Sequence, residues 1–334
     1  MDPQTVPPEA RIWQLGLGFA NTAVLYDLVK SGVIEQMREQ PQPLPLLAQA
    51  CGLNPDMLSR VLRYAITIGV IGYAGSEYSL TETGKLLLKD VPGSFYLGSL
   101  LFGSRPWQQS WQHLDDSLTS GNIPFEQAMG SPFFEYLDSH PDLSSIFNQW
   151  MTVSTTLAAQ ALTASYDFTP YRSVCDIGGG QGILLKHILT ANPHLRGILY
   201  DLEPAVKGHI LSGLEGRVEI QTGSFFERVP SADVLLMKSV LHDWSDEKCL
   251  VILGRCREVM QPSSRLLIVD RVIASPPDWM SSFMDLHMQV MSGGRERTES
   301  EFNTLLQQAG LKLNRVVPTK SFWKILETAA AAPA

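Results

Sequence analysis

The spacing of apolar residues changes along the chain and separates a helical part from an alternating part. Between residue 11 and about residue 38, apolar side chains recur on one broad face, which predicts a helix. The elements predicted after it are helices at 46–50 and 56–68, a hairpin of 70–73 and 77–80, and further helices over 91–170 with turns at 121–124 and 140–141. The first half of the chain is therefore expected to be mostly α-helical.

From residue 171 onward, short apolar runs alternate with helical patterns. The runs predict strands at 174–176, 198–201, 218–221, 234–237 and 266–269, with an antiparallel edge pair at 312–317 and 322–326. Continuous apolar runs are typical of strands buried on both faces. The alternation predicts an α/β fold, a Rossmann-like doubly wound sheet that binds ligands at the carboxyl ends of its strands.

The helices at 46–50 and 56–68 meet at a turn in which Asn54 can cap and Pro55 can occupy the first helical position. A hairpin follows, so the order is that of a winged helix-turn-helix. Residues 1–90 carry seven Lys and Arg against nine Asp and Glu, a difference of two negative charges. DNA binding depends on phosphate neutralisation, so this balance favours an interaction module, a homodimerisation domain, over a DNA reader.

A glycine-rich run, DIGGGQG at 176–182, lies between a predicted strand and a predicted helix. Glycines permit positive φ and close approach of a ligand, and a helix N-terminus presents unpaired N–H groups. Asp201 ends the next strand, where a carboxylate can accept hydrogen bonds from ribose hydroxyls. The alternative is an ordinary strand-to-helix turn that uses glycine only for its geometry.

The dinucleotide fingerprint requires a third glycine at position 183, which is Ile183 here, so a NAD-dependent oxidoreductase is disfavoured. The carboxylate of Asp176 would also repel a pyrophosphate. It suits a ligand that carries an ammonium and a sulfonium, and the run therefore predicts S-adenosylmethionine (SAM) as the cofactor.

Composition narrows the function classes further. The 334-residue chain has 44% hydrophobic and 18% charged residues, a globular balance, and a net charge of −8 that disfavours nucleic acid and anionic membranes as partners. The four cysteines form no C-x-x-C pair, which favours reduced thiols in a cytoplasmic protein. No metal-ligand cluster, signal peptide or membrane-length apolar run of about 20 residues is recognised, so we expect neither a metal nor a membrane.

A second group of polar residues is expected at the same sheet edge. His242 follows the fourth predicted strand, Asp270 follows the fifth, and Glu296 lies in a later Gly-rich segment. A histidine can take the proton of a phenol, and a carboxylate on its other nitrogen fixes the tautomer. Alone, His242 would be a loop histidine; with two acids on this edge, the catalytic interpretation is preferred. Asp243 and Asp246 are interpreted as solvated acids at a helix start.

Five segments together resemble one family: residues 58–63, 78–81, 176–182, 241–244 and 293–298. They are similar, in order, to motifs of the SAM-dependent small-molecule O-methyltransferases of the caffeate and hydroxyindole type and their bacterial relatives. The resemblance covers nearly the whole chain. It implies an intimate homodimer. It also implies that each chain is divided into a winged-helix dimerisation domain (1–100), a helical linker contributing to the acceptor pocket (101–170) and a SAM-binding catalytic domain (171–334).

The resemblance implies that His242 is the base and that Asp270 and Glu296 flank it. It also implies SAM contacts at Gly178, Asp201, Phe225 and Lys238. With the neighbours of the glycine run, the full SAM-binding set is Asp176, Gly178, Gly180, Asp201, Leu202, Ser224, Phe225 and Lys238. The candidate acceptor-binding residues are Trp150, Met151, Met284, His287, Met288 and Met291. The spacing of the last four equally fits a buried helical stripe.

Two positions depart from the family pattern. Ser224 stands where the family has an aspartate that accepts from the adenine amino group, so a weaker hydrogen bond is expected there. Asp270 is one methylene shorter than the glutamate of plant members, so its contact with His242 is expected to be weaker or water-mediated.

The expected reaction is methyl transfer from SAM to a hydroxyl, in particular a phenolic hydroxyl, of a small aromatic secondary metabolite. Three alternatives stay open at this point: N- or C-methylation on the same fold, a non-methylating cyclisation, rearrangement or hydroxylation with SAM bound, and a ligand-sensing winged-helix regulator.

Overall fold

The computed structural model describes residues 7–331, apart from the side chain of Leu157. The ends of the first and last predicted domains, residues 1–6 and 332–334, lie outside this range. The chain forms two compact units. The first extends to Gln112 and includes Tyr136–Trp150, and the second combines His113–Glu135 with the chain from Met151 onward. The segment 101–170 is thus distributed over both units.

The helices are α1 (Pro8–Gly16), α2 (Phe19–Lys30), α3 (Val33–Gln36), α4 (Leu44–Cys51), α5 (Pro55–Thr67), α6 (Glu82–Lys85), α7 (Tyr96–Phe102), α8 (Arg105–Gln112), α9 (Leu114–Ser120), α10 (Pro124–Met129), α11 (Phe133–Ser139), α12 (Pro141–Ser165), α13 (Ile183–Ala191), α14 (Glu203–Val206), α15 (Asp246–Val259), α16 (Trp279–Met291) and α17 (Glu299–Gln308). The strands are β1 (Gln42–Pro43), β2 (Ile71–Ala74), β3 (Glu77–Leu80), β4 (Ser173–Ile177), β5 (Arg196–Asp201), β6 (Val218–Thr222), β7 (Val234–Lys238), β8 (Arg265–Asp270), β9 (Val272–Ile273), β10 (Arg297–Thr298), β11 (Leu311–Pro318) and β12 (Lys324–Ala330).

The first unit is mostly helical, with a small antiparallel sheet of order β1-β3-β2. Asn54 caps α5 by accepting a hydrogen bond from the Met57 N–H, and β2 and β3 form the predicted hairpin. The predicted helix over residues 11–38 was wrong as a single element. It is divided into α1, α2 and α3, because the chain turns at Leu17–Gly18 and again at Gly32, where φ is +81°.

The second unit contains a seven-stranded sheet of order β11-β12-β8-β7-β4-β5-β6. Strands β4 to β8 are parallel, and the pair β11 and β12 continues the sheet beside β8 in antiparallel orientation. Alternate residues of the central strands enter two hydrophobic cores, one shared with α15 and α17 and the other with α12 and α13. The predicted doubly wound sheet is therefore confirmed, with β4 at the point where the strand order reverses.

One detail of the strand prediction was wrong. Residues 218–221 were expected to be buried on both faces, but β6 is an edge strand and is partly exposed. The four cysteines are free thiols, as expected. Over residues 7–331, the chain has no helix with the length and hydropathy that a membrane crossing requires.

Candidate active site

The glycine-rich run connects β4 to α13 at the carboxyl edge of the sheet. Gly178 has a φ of +69°, and a Cβ atom added there would lie 2.8 Å from Cγ2 of Val240. Its conformation and the close approach of the loop after β7 therefore both require glycine. The run ends at Gly182, the N-cap residue of α13, whose φ of +82° lies in the left-handed region.

Asp201 fixes this turn from the neighbouring strand β5. Its Oδ2 accepts a hydrogen bond from the Gly180 N–H at 2.8 Å, and its Oδ1 accepts from the Leu202 N–H at 2.7 Å. Burial raises the pKa of this carboxyl group, and the two backbone N–H groups oppose that shift. A carboxylate retains further lone pairs after these two bonds, so Asp201 can still accept from a ligand hydroxyl.

Asp176 is more buried than Asp201, with 1% of its surface exposed. Its Oδ2 has no hydrogen-bond partner among the described residues, and burial, together with the charge of Asp201, raises its pKa to about 7. The backbone N–H of Leu185 and the charge of Lys238 oppose that shift. A buried carboxyl group with an unpaired oxygen favours a cationic neighbour, so this edge suits a ligand that carries positive charge, as SAM does.

His242 lies in a 3-10 turn, Leu241–Asp243, directly after β7, and is 8% exposed. Its Nδ1 is 3.0 Å from Oε1 of Glu296 and 3.8 Å from Oδ1 of Asp270. Its Nε2 is 3.7 Å from Oδ1 of Asp243. The structure thus brings together the three predicted catalytic side chains, and the longer Asp270 contact agrees with the shorter side chain.

Opposing effects set the pKa of His242. Burial lowers it, but the charges of Glu296, Asp243 and Asp270 outweigh burial and raise the pKa to about 9. Asp270 has no hydrogen-bond partner among the described residues, and burial raises its pKa to about 7 despite the attraction of His242. The arrangement can hold a proton on the imidazole more firmly than an isolated histidine does.

The Gly-rich segment 293–298 is held against the turn that carries His242. The Arg295 N–H donates to the His242 carbonyl oxygen at 2.8 Å, and a Cβ atom on Gly294 would lie 1.9 Å from that oxygen. The Glu296 N–H donates to Oδ1 of Asp285 on α16 at 3.0 Å. The absence of a side chain at Gly294 therefore allows the approach that brings Glu296 to the imidazole.

Arg297 donates hydrogen bonds to the turn that carries His242. Its buried guanidinium donates to the carbonyl oxygens of Leu241 and Trp244, each at 3.0 Å, and to Oδ1 of Asp246 at 2.7 Å. Asp246 lies in the first turn of α15 and its side chain is 49% exposed, in keeping with the sequence interpretation, and it also forms an ion pair with this guanidinium. Asp243 likewise faces His242 with a side chain that is 23% exposed, and burial raises its pKa.

Two further cations lie near these acids. Lys238 ends β7, and burial lowers its pKa to about 8, assisted by Arg271 and opposed by Asp270 and Asp176. Arg271 follows β8, with Nη1 3.7 Å from Oε1 of Glu296. His242, Asp270 and Glu296 offer ligand-type atoms within 4.8 Å of one another. The neighbouring cations favour acid–base chemistry over an added metal charge at this cluster.

The Gly-Ser-Phe-Phe turn follows β6. Ser224 Oγ accepts a hydrogen bond from the Phe226 N–H at 3.3 Å. The Phe225 ring lies near the Phe226 and Trp244 rings, with centroids 5.0 and 6.3 Å away. Ser224 thus supports its own turn, and no carboxylate is present at this position of the chain.

The candidate acceptor residues are divided between the two units. Trp150 belongs to the first unit, where its ring packs edge-to-face on Phe95 and Phe102. His287 lies on α16 of the second unit, is buried and stacks on Phe283 with centroids 5.5 Å apart. Burial, His242 and Arg271 lower its pKa to about 4, so the imidazole is neutral at pH 7. The remaining candidates in the second unit are Met151 and Met284, which are half-buried, and Met288 and Met291, which are buried.

Sequence reasoning missed three residues of this site. Arg271 directly follows Asp270 at a strand end, so the argument that identified Asp270 could have identified it as well. Arg297 is adjacent to Glu296, but nothing in the sequence indicates that it turns toward Leu241. Trp323 is 52 positions from Arg271 and 85 from Lys238, the two cations that it contacts, and only the pairing of β12 with β8 brings it to them.

Comparisons with known proteins show relatives over most of the chain. The model of the O-methyltransferase domain matches residues 111–312. The phenazine O-methyltransferase of Lysobacter antibioticus is 34% identical over 96% of this chain and 96% of its own. The mitomycin biosynthesis 6-O-methyltransferase of Streptomyces lavendulae is 38% identical over 87% of this chain and 85% of its own.

Solved structures give the same result. The mitomycin 7-O-methyltransferase superposes with a TM-score of 0.92 at 34% identity, covering 97% of this chain and 98% of that one. An O-methyltransferase from neocarzinostatin biosynthesis, solved with SAM and 2-hydroxy-5-methyl naphthoic acid, has a TM-score of 0.82 at 29% identity, covering 93% and 96%. The chain belongs to the O-methyltransferase family and is a SAM-dependent enzyme that methylates a hydroxyl group of a small aromatic metabolite.

Proposed function

We propose that His242 is the general base that removes the proton of a phenolic acceptor while the methyl group is transferred. The observation that carries the proposal is the 3.0 Å contact between Nδ1 of His242 and the buried Glu296 carboxylate. A proton on Nδ1 donated to Glu296 leaves the lone pair on Nε2. Nε2 is then the atom that accepts the phenolic proton.

The charges around His242 suit this task. A free phenol has a pKa of about 10, so it is a weak nucleophile at neutral pH. The acids around the imidazole raise the pKa of His242 to about 9, close to that of the phenol. Proton transfer between groups of similar pKa has a small energetic cost, and the imidazolium then stabilises the phenolate beside it.

SAM supplies an activated methyl group on a sulfonium when it is bound. We propose that Asp201 accepts hydrogen bonds from its ribose hydroxyls and that Asp176 and Lys238 provide the charged surroundings of its methionine part. Gly178 and Gly180 let the backbone approach the ligand, and Leu202, Ser224 and Phe225 surround the adenine. The unpaired, buried Oδ2 of Asp176 supports a cationic ligand at this edge.

The acceptor class follows from the relatives. Their names specify a phenazine, mitomycin and 3-amino-4-hydroxybenzoate, which are cyclic molecules of small size. We propose an acceptor of this kind with a hydroxyl on an aromatic ring. Met284, Met288, Met291, Met151, Trp150 and His287 are the proposed lining, because methionine and aromatic side chains adapt to flat apolar rings.

We also propose that the enzyme acts as a homodimer. In the first unit, α1 and the start of α2 expose large apolar side chains: Ile12, Trp13, Leu15, Leu17 and Phe19. A patch of this kind on one short segment is typical of an interaction surface. A second copy of the chain is the proposed occupant, in keeping with the winged-helix dimerisation domain implied by the sequence.

Radiolabelled SAM and a panel of phenols test the catalytic proposal. We expect methyl transfer by the native enzyme and a loss of about 100- to 10,000-fold in kcat for His242→Ala, with binding of S-adenosylhomocysteine unchanged. His113→Ala, a change at an exposed histidine paired with Asp116, serves as the matched control. Native activity in His242→Ala would show that the base lies elsewhere.

A further inference from the structure

The carboxylate that faces His242 is shared with a second cation. Oε1 of Glu296 is 3.0 Å from Nδ1 of His242 and 3.7 Å from Nη1 of Arg271. Glu296 is buried, and Arg271 is nearly so, so the attraction between them is weakly screened. A carboxylate shared in this way interacts less strongly with the imidazole than one that serves the imidazole alone.

Arg271 is not fixed by hydrogen bonds alone. Its Nε is buried and has no hydrogen-bond partner among the described residues. Its guanidinium carbon lies 4.9 Å from the ring centroid of Trp323, and Nζ of Lys238 lies 5.0 Å from the same centroid. An indole ring attracts cations through its negative faces, and the attraction is larger where water is excluded.

Trp323 is well placed for this task. It is 5% exposed, and its Nε1 has no hydrogen-bond partner within residues 7–331, so it contributes its ring and not its N–H group. The loop between β11 and β12 fixes its backbone: Ser321 Oγ accepts from the Trp323 N–H at 3.3 Å, and Thr319 Oγ1 donates to its carbonyl oxygen. The next residue, Lys324, lies opposite Asp270 in the antiparallel pairing of β12 with β8.

The charges around His242 show why these cations matter. The titratable and charged groups around the site are five carboxyl groups, a second imidazole and two cations: Asp176, Asp243, Asp270, Asp285, Glu296, His287, Lys238 and Arg271. Without Arg271, the negative charge near the imidazole would be balanced by fewer cations. The site would then keep its proton to higher pH.

We propose that Arg271 and Trp323 are positioning residues for His242: the indole ring holds the guanidinium beside Glu296, and the guanidinium limits how strongly that carboxylate binds the imidazolium proton. The inference rests on the proposed role of His242 as the base. It assigns a function to the loop between β11 and β12, which sequence analysis treated only as part of an edge pair.

Nuclear magnetic resonance of histidine-labelled protein without SAM provides the test. The signal of His242 is identified among the seven histidines by its absence in His242→Ala. We expect Arg271→Gln and Trp323→Leu to move the His242 titration to higher pH, and Trp323→Phe, which keeps a ring face, to leave it near the native position. The matched control is Tyr166→Leu, which removes the ring 5.9 Å from Arg315 of the adjoining strand β11.

The pH profile of methyl transfer should follow the titration. A shift of one pH unit lowers kcat/KM at pH 7 by about tenfold, and a smaller shift lowers it proportionately. If Trp323→Leu does not fold, the His242 titration in Arg271→Gln still tests the inference. It is then compared with the titration in the conservative variants Arg271→Lys and Trp323→Phe.

An unchanged His242 titration in folded Arg271→Gln or Trp323→Leu would overturn the inference, as would an equal shift in Tyr166→Leu. These outcomes are separate from the proposed function. If His242→Ala is inactive but the His242 titration is unchanged in Arg271→Gln and Trp323→Leu, only the positioning role is refuted. If His242→Ala is active, the role of His242 as the base is refuted.

Discussion

Glu296 Oε1 lies 3.0 Å from Nδ1 of His242, across 54 residues of sequence, and both side chains are buried. The contact sets the tautomer of the imidazole and raises its proton affinity. The pH dependence of the enzyme should therefore depend on this pair.

The activity should increase with pH. With the pKa of His242 raised to about 9, the free enzyme carries a protonated imidazole at pH 7, and a protonated imidazole cannot accept the phenolic proton. We expect log kcat/KM to rise with a slope of about one between pH 6.5 and 8.5 and to level near pH 9. In Glu296→Gln, the rising limb should move to lower pH and the plateau should fall at least tenfold. A native limb in that variant would contradict the assignment.

Gly294 should tolerate no side chain. A Cβ atom would lie 1.9 Å from the His242 carbonyl oxygen, so Gly294→Ala must displace the segment that carries Glu296. We expect a loss of about 1–3 kcal/mol in the free energy of unfolding and a reduced kcat. Gly254→Ala on α15, where a Cβ atom meets nothing within 4 Å, is the control and should be neutral or stabilising. Equal effects of the two changes would exclude the proposed contact.

Arg297 should matter for stability and activity together. Arg297→Met removes the donors to the Leu241 and Trp244 carbonyl oxygens and leaves them with fewer partners. We expect about 2–5 kcal/mol of destabilisation in urea unfolding, together with lower activity. Lys85→Met, at an exposed pair with Glu82, should change stability by less than about 0.5 kcal/mol. A fully stable Arg297→Met would show that the turn does not depend on this guanidinium.

The serine at position 224 should limit SAM affinity. The family resemblance expects an aspartate that accepts from the adenine amino group, and a charged acceptor contributes roughly 1 kcal/mol more than a neutral hydroxyl. We expect Ser224→Asp to bind S-adenosylhomocysteine about fivefold more tightly in calorimetry. Ser224→Ala distinguishes the outcomes: it should bind no more tightly than the native chain. Unchanged affinity in Ser224→Asp would mean that this turn does not reach the adenine.

The apolar patch on α1 should hold two copies together. Trp13, 68% exposed, becomes a buried contact in the proposed dimer, so Trp13→Glu should shift light-scattering mass from about two chains toward one. Leu118→Glu, at an 81% exposed position of the second unit, should leave the mass unchanged. A native protein that is monomeric at micromolar concentration would refute the dimer.

Much of the site could be predicted from sequence, because local patterns encode it. The glycine run before α13, the acid at the end of β5 and the histidine after β7 each follow from position relative to a strand, since the carboxyl ends of parallel strands share one edge. The capping box of Thr298 and Glu301, which begins α17, likewise depends on residues only three positions apart. The helix over residues 11–38 failed because apolar periodicity does not reveal where a glycine turns the chain.

What the sequence by itself determined was thus the order of elements, the sheet class and the edge on which the chemistry lies. Only the tertiary structure decided which charged side chains lie close enough to interact at that edge. Arg271 and Glu296 are 25 positions apart, and Trp323 joins them only because β12 pairs antiparallel with β8. Electrostatic interactions act through space and depend on burial, so the proton affinity of His242 is a property of the assembled site and not of any segment.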